Sequence, residues 1–321
     1  MKTITLLPGD GIGPEIAASV RKVLAKSSAD LKWEVIDYQN LAKERDDFVE
    51  KALQSIRKNG AALKGPITTP PGSGMESVTV ELRQRLDLFA NVRPIRTPPL
   101  SRTSNEDLDL IVVRENTEGL YSGFEHSVQD LYSEAIKLTT NKATERIAQF
   151  AFEYALDHNR KEVTVVHKAN VLQETDGLFL EVASDIADQY PSLEVKDIIV
   201  DNLCLQLVQT PEQFDVLLAP NLYGDIIADL SAGLVGGLGL VPGANIGKEY
   251  AMFEAAHGSA PDIAGKGVAN PAALILSSIM MLNYLGDNQA AGQIQEALYA
   301  TLKRGDKLTP DLGGSSSLNT F

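Results

Sequence analysis

Asp225 and Asp229 stand four residues apart in the run Asn221-Leu222-Tyr223-Gly224-Asp225-Ile226-Ile227-Ala228-Asp229, which opens after a short apolar stretch. On a helix that spacing puts both carboxylates on one face. Two like charges so placed repel unless a cation or an arginine lies between them, and oxygen-only ligands suit Mg2+ or Mn2+. A capped helix start gives the same pattern, with Asp225 favoured by the helix dipole and Asp229 solvated. Asp201 follows another apolar run, Val195–Val200, and adds a third acid where open α/β sheets gather ligands.

Three arginines, Arg83, Arg93 and Arg114, fall near the ends of expected helices or strands. Guanidinium forks grip carboxylates through two hydrogen bonds, although each arginine taken singly also fits a surface salt bridge. Lys168 sits in His167-Lys168-Ala169-Asn170, just past the apolar run Val163–Val166. A lysine there becomes a base when burial and a nearby cation lower its pKa; an exposed lysine is the plainer alternative. The stretch Glu254–Lys266 has small residues and no apolar periodicity, as in functional loops and in ordinary surface loops alike. Gly9-Asp10-Gly11-Ile12-Gly13 resembles a dinucleotide fingerprint, but the third glycine falls one position early and Pro14 takes its place. A Rossmann site is therefore disfavoured, and a tight strand-to-helix turn competes with any phosphate-binding role.

These residues must be positioned by elements that alternate along 321 residues of ordinary globular composition, 44% hydrophobic. Ile4–Leu7, Trp33–Asp37, Phe89–Val92, Leu108–Val113, Val163–Val166, Val195–Val200 and Val216–Ala219 predict strands. Helices are expected from Pro14, around Asp47–Arg57, over Glu76–Leu86 and Lys142–His158, and at Ala272–Leu285 and Gly292–Leu302. Arg93–Asp107, with Pro94, Pro98 and Pro99, reads as a loop crossing between domains, and Glu115–Phe124 as a glycine-punctuated hairpin region. The alternation argues for an α/β protein with helices on both faces of a largely parallel sheet. A net charge of -14 leaves no electrostatic footprint for nucleic acid or an anionic membrane. One cysteine, Cys204, fits a reducing compartment, and the N-terminus lacks the features of a signal peptide. A cytoplasmic protein is expected.

Taken together, the segments resemble the β-decarboxylating dehydrogenases: isocitrate, homoisocitrate, 3-isopropylmalate and tartrate dehydrogenases. The likeness runs from Leu7-Pro8-Gly9-Asp10-Gly11-Ile12-Gly13-Pro14-Glu15 to Leu308-Thr309-Pro310-Asp311-Leu312-Gly313-Gly314, and Asn221–Asp229 and His257–Gly265 are its most specific parts. Gln149–Ala155 and Val166–Asn170 look most like the NAD-dependent isocitrate enzymes of mitochondrial type. The resemblance implies a two-domain isocitrate/isopropylmalate dehydrogenase-like fold, not a Rossmann fold. A large cofactor-binding domain would come from residues 1–95 and 240–321. A small domain, 96–239, would carry the metal ligands and the dimer interface.

It also implies roles. Asp225 and Asp229 would bind Mg2+ or Mn2+ together with Asp201 of a second copy, so a homodimer would share its active sites. Lys168 would take the hydroxyl proton and Tyr121 would protonate the product carbon. Arg83, Arg93 and Arg114 would hold the substrate carboxylates. Isocitrate enzymes place a serine six residues before the first arginine, here Ser77, and an asparagine two residues later, here Thr79. That pattern favours isocitrate, with homoisocitrate second. Thr69, Asn170, His257, Gly258, Ala260, Asp262, Ile263 and Asn270 would line the cofactor site. NADP-dependent relatives put lysine and tyrosine where this chain has Asp262 and Ile263; an aspartate repels a 2′-phosphate, so NAD is expected. A non-catalytic regulatory subunit is the competing reading, although the lysine, tyrosine and three aspartates are all present.

Overall fold

The computed structural model describes residues 1–37, 41–69, 77–100 and 107–321, with the side chains of 41–43 left out. The start of the helix expected from Glu76 and part of the expected crossing loop lie outside the described residues. β1 (Lys2–Leu7) leads into α1 (Gly13–Leu24), where Pro14 takes an initial helical position that needs no N–H. β2 (Leu31–Val35), α2 (Leu41–Asn59), β3 (Ala61–Lys64) and α3 (Val78–Arg85) follow, then β4 (Ala90–Arg96) and β5 (Asp109–Glu115). A hairpin of β6 (Glu125–Val128) and β7 (Tyr132–Ala135) precedes α4 (Asn141–Asp157). Next come β8 (Glu162–His167), α5 (Thr175–Ala187), β9 (Glu194–Ile199), α6 (Val200–Gln209), β10 (Val216–Ala219) and α7 (Asn221–Leu234). β11 (Pro242–Ile246), β12 (Ala251–Ala255), α8 (Ala272–Tyr284) and α9 (Asn288–Arg304) close the order.

Two compact units divide these elements. The first is built mainly from Met1–Leu88 and Ala232–Phe321. Its strands β2, β1, β3 and β12 run parallel, and β11 pairs antiparallel with β12. The period of two along a strand sorts side chains into two cores. Ile4, Leu6, Ala61, Leu63, Ala251 and Phe253 pack with α1, α8 and α9. Leu7, Ala62 and Met252 face α2 and α3. Burial on both faces explains why β3 and β12, with sequences AALK and AMFEA, carry no alternating pattern and escape a reading by periodicity.

The second unit comprises Phe89–Arg96 and Asp107–Ser231. β5, β10, β8 and β9 are parallel in that spatial order, and β4 pairs antiparallel with β5. Arg93–Arg96 is therefore strand rather than the loop expected from its proline. Pro94 lies opposite Ile111, whose N–H goes to the Asp215 carbonyl at 2.9 Å, so the pair needs no proline donor. The hairpin also begins later than expected, at Glu125. α4 buries Ile147, Ala148, Ala151, Phe152 and Ala155 on one face. Among the described residues no helix is long and apolar enough to cross a membrane.

Candidate active site

In the second unit the candidate residues gather where parallel strands end, the edge at which open α/β sheets bind ligands. Arg114 is the penultimate residue of β5, Lys168 follows β8, Asp201 lies in the first turn of α6 directly after β9, and Asn221 starts α7 just after β10. Because β5 and β10 are neighbours, Arg114 reaches α7. Its Nε and Nη2 both donate to Asn221 Oδ1, at 3.0 and 2.7 Å, and its Nη1 pairs with Asp225. Asn221 Nδ2 in turn donates to the Glu118 carbonyl at 2.9 Å, tying the loop after β5 to the helix.

Gly224 makes this approach possible. A Cβ on it would stand 2.7 Å from both Cβ and Cγ of Arg114. Gly224→Ala is therefore expected to displace the guanidinium and to cost about 1–3 kcal/mol of stability through overpacking. Thermal melts together with the KM of the anionic substrate check both effects.

Tyr121 donates its hydroxyl to Asp225 Oδ2 at 2.6 Å, and the Arg114 guanidinium lies 5.0 Å from the Tyr121 ring centre. Burial, and then the Asp225 carboxylate, push the Tyr121 hydroxyl pKa up, so the phenol keeps its proton at neutral pH. Arg93 donates to Asn91 Oδ1 at 3.1 Å and comes within 3.7 Å of Asp229. Burial raises the Asp229 carboxyl, Arg93 opposes this, and the charge of Asp225 adds to the rise. The two carboxylates are thus close enough to repel, and a hard cation between them would relieve both.

Lys168 and Asp201 form a separate pair, in which the ammonium holds the Asp201 carboxyl below its usual value. Among the described residues no group of three or more histidines, cysteines, aspartates or glutamates lies close enough to hold a metal. One copy of the chain therefore does not bring Asp201 together with Asp225 and Asp229.

Arg83 belongs to the first unit. Its Nη2 meets Glu254 Oε1 at 2.7 Å, while Lys64 Nζ meets Glu254 Oε2 at 2.6 Å. Asn245 Nδ2 donates to the same carboxylate at 2.8 Å. All four residues are buried. Burial alone would raise the Glu254 carboxyl, but Lys64 and Arg83 outweigh it and hold the pKa far below the usual range. Ser77 occupies the N-cap of α3 without making a side-chain cap bond, and Thr79 precedes Arg83 by one helical turn.

The remaining candidates of this unit lie near the ends of β3 and β12 and in the segments that succeed those strands. The glycine run after β1 is a packing turn: Ile12 N–H donates to the Ser259 carbonyl at 2.9 Å, and a Cβ on Gly11 would lie 2.0 Å from that oxygen. Asp10 Oδ1 accepts from Thr68 N and Oγ1, both at 2.9 Å, and the Thr68 and Ser259 hydroxyls are 2.6 Å apart. Thr69 therefore sits beside a loop junction that is already fixed. His257 has a buried Nε2 with no hydrogen-bond partner, and burial lowers its pKa, so the ring is neutral near pH 7. Gly258 has open space where a Cβ would stand, and Ala260 holds a strained φ of 38°. Asp262 is exposed, whereas Ile263 packs partly on the core. Asn270 donates to Asp311 Oδ2 and accepts from Ala272 N, each at 2.9 Å. Asn170 is exposed on the other unit, two residues past Lys168.

The role of Asn221, and Lys64 and Asn245 as partners of Glu254, escape notice in the sequence. An ionisable residue inside the apolar strand AMFEA is the signal that marks Glu254. Nothing local marks Lys64, and an asparagine at a helix start looks like an ordinary cap.

Arginines and carboxylates gathered at the strand ends of an α/β frame suit the binding of small anions. Residues 3–321 match the model for isocitrate/isopropylmalate dehydrogenase, and the chain belongs to that family. It is 49% identical to catalytic subunit 5 of the mitochondrial NAD isocitrate dehydrogenase of Arabidopsis thaliana, over 99% of this chain and 86% of the relative. A regulatory subunit of the mitochondrial NAD isocitrate dehydrogenase of Dictyostelium discoideum is 47% identical, over 100% of this chain and 90% of the relative. The crystal structure of isocitrate dehydrogenase from Methylococcus capsulatus superposes with a TM-score of 0.95 at 46% identity, covering 100% of this chain and 97% of that one. The expectation of a cytoplasmic protein is corrected here, since both curated relatives carry mitochondrial names. A lone cysteine fits any reducing compartment and does not single out the cytosol.

Proposed function

We propose that this chain catalyses the NAD-dependent oxidative decarboxylation of isocitrate to 2-oxoglutarate, with Mg2+ or Mn2+ held by Asp225 and Asp229 and by Asp201 of a second copy. One observation carries the reading: the buried Arg114 guanidinium, the Asp225 carboxylate and the Tyr121 hydroxyl form one connected chain. An anion holder, a metal-type oxygen ligand and a proton donor are thereby linked. The names of the relatives support NAD and isocitrate.

Arg83, Arg93 and Arg114 hold the substrate carboxylates, and Ser77 and Thr79 meet the distal one. The Ser77 side chain makes no cap bond to α3, which supports this assignment. A bound divalent cation supplies Lewis acidity at the substrate oxygens. Bound NAD supplies the hydride acceptor, with Thr69, Asn170, His257, Gly258, Ala260, Asp262, Ile263 and Asn270 around it; the partnerless Nε2 of His257 fits a ligand contact. Lys168 removes the proton from the substrate hydroxyl oxygen as the hydride leaves the carbon that bears it. Loss of CO2 leaves its electron pair on the neighbouring carbon, and Tyr121 delivers a proton there. Two copies share the sites, which accounts for the separation of the Lys168–Asp201 pair from Asp225 and Asp229. The exposed Phe124, Leu131, Tyr132, Ile136, Leu205 and Val208 support an interface on the second unit. The first unit takes the cofactor-binding role.

A panel of kcat/KM values for isocitrate, homoisocitrate, 3-isopropylmalate, malate and tartrate tests the substrate. Isocitrate should lead. A preference for any other by about tenfold, roughly 1.4 kcal/mol of transition-state binding, overturns it. Thr79 in place of asparagine makes homoisocitrate the competitor to watch. For the cofactor, Asp262→Lys with Ile263→Tyr should raise kcat/KM for NADP and lower it for NAD. A wild type that already prefers NADP contradicts the assignment of Asp262.

A further inference from the structure

Asp176, in the first turn of α5, is fully buried, yet no step above uses it. Its Oδ2 accepts the backbone N–H of Lys168 at 2.8 Å, and its Oδ1 pairs with Lys137. The Lys137 ammonium also lies 4.7 Å from the centre of the Tyr223 ring, in the first turn of α7. Burial and the neighbouring Asp176 carboxylate together push the Tyr223 hydroxyl pKa up. One carboxylate thus joins the loop after β8, the segment after β7 and the start of α7.

We propose that Asp176 is a positioning residue for Lys168, holding the peptide from which the base is presented. The inference rests on the role given to Lys168 above. A buried carboxylate is costly to desolvate, and an apolar side chain at the first turn of α5 would serve packing equally well. Here both oxygens are committed to fixing neighbouring segments. The next peptide is fixed too: His167 Nδ1 accepts from Ala169 N at 3.0 Å, and its Nε2 donates to Asp197 at 3.1 Å. The backbone on either side of Lys168 is therefore pinned, and only the side chain, now paired with Asp201, is left to swing. Tight placement of this kind is what a base requires, since a displacement of about 1 Å can cost on the order of 100-fold in rate.

Asp176→Ala removes the acceptor for the Lys168 N–H. Asp176→Asn combined with Lys137→Gln keeps an acceptor oxygen and removes both charges together, so it folds if the single change does not. Asp176→Ala should lower kcat by about 30-fold or more with KM values within about threefold, and should enlarge the primary isotope effect for isocitrate deuterated at the hydroxyl-bearing carbon. The double variant should recover kcat to within about fivefold of wild type. A merely structural residue would lower the melting temperature and leave kcat per folded site and the isotope effect unchanged, which overturns the proposal. If Asp176→Ala does not fold, a double variant that folds but loses kcat as Lys168→Met does overturns it equally. Lys168→Met run in parallel separates the two levels. Full activity in that variant defeats the assignment of the base, whereas its loss beside an unaffected Asp176→Ala defeats the positioning role alone.

Discussion

Lys168→Met is expected to lower kcat for isocitrate by about 10²- to 10⁴-fold, the usual range for removal of a general base, with KM changed by less than about threefold. The lysine follows β8, its main chain is held by Asp176, and its ammonium is paired with Asp201 rather than buried among apolar groups. Methionine keeps most of the length and removes only the titrating nitrogen. Folding should therefore be nearly unaffected, within about 0.5 kcal/mol for a partly exposed position. Steady-state kinetics beside a thermal melt read both quantities. A kcat within about fivefold of wild type would remove Lys168 from the mechanism.

Glu254→Gln should be the most damaging single change to stability. Lys64 and Arg83 share its carboxylate in the interior of the first unit, and the glutamine leaves two buried cations facing a neutral amide. Breaking a buried ion pair by removing one partner costs about 3–5 kcal/mol. For a unit of this size that corresponds to a fall of roughly 10 °C in Tm. The pH dependence has a definite sign. The folded-state pKa of Glu254 is depressed, so its contribution is complete above the unfolded-state value, near 4.5, and is lost as pH falls below it. Wild type should therefore lose stability on acidification through that range more steeply than Glu254→Gln does. Replacing Lys64 by methionine in the same chain should recover part of the loss. Parallel melting curves with equal acid slopes would show that the triad contributes nothing. Since Arg83 is anchored by Glu254, the single variant should also raise KM for isocitrate.

How much of this was legible in the sequence depended on whether the signal was local. β1, β8 and β10 announce themselves as short runs of branched and aliphatic residues, and α7 is marked by the acid pair and its leading asparagine. β3 and β12 are not legible, because alanines and a buried charge satisfy no alternating template and only their neighbours make them strands. Arg114, Tyr121 and Asp225 could each be singled out, but their mutual contacts span more than a hundred residues for the arginine and come from the adjacency of β5 and β10. The bridging role of Asn221 is not legible, because one amide serves three groups, none of them close in sequence. The glycine run after β1 posed the opposite problem. Its pattern suggests phosphate, whereas its visible work is to let the loops after β1 and β12 pack against each other.

On the proposed function, this chain oxidises and decarboxylates isocitrate alone, as a self-associated enzyme. The direct measurement is turnover by the purified chain with Mg2+, NAD and isocitrate, following NADH and 2-oxoglutarate together. Both should appear in equal amounts with no other polypeptide present, and chelating the metal should stop both. No turnover until a second, different chain is added would contradict it, and would make this protein a regulatory partner of the kind named in Dictyostelium discoideum.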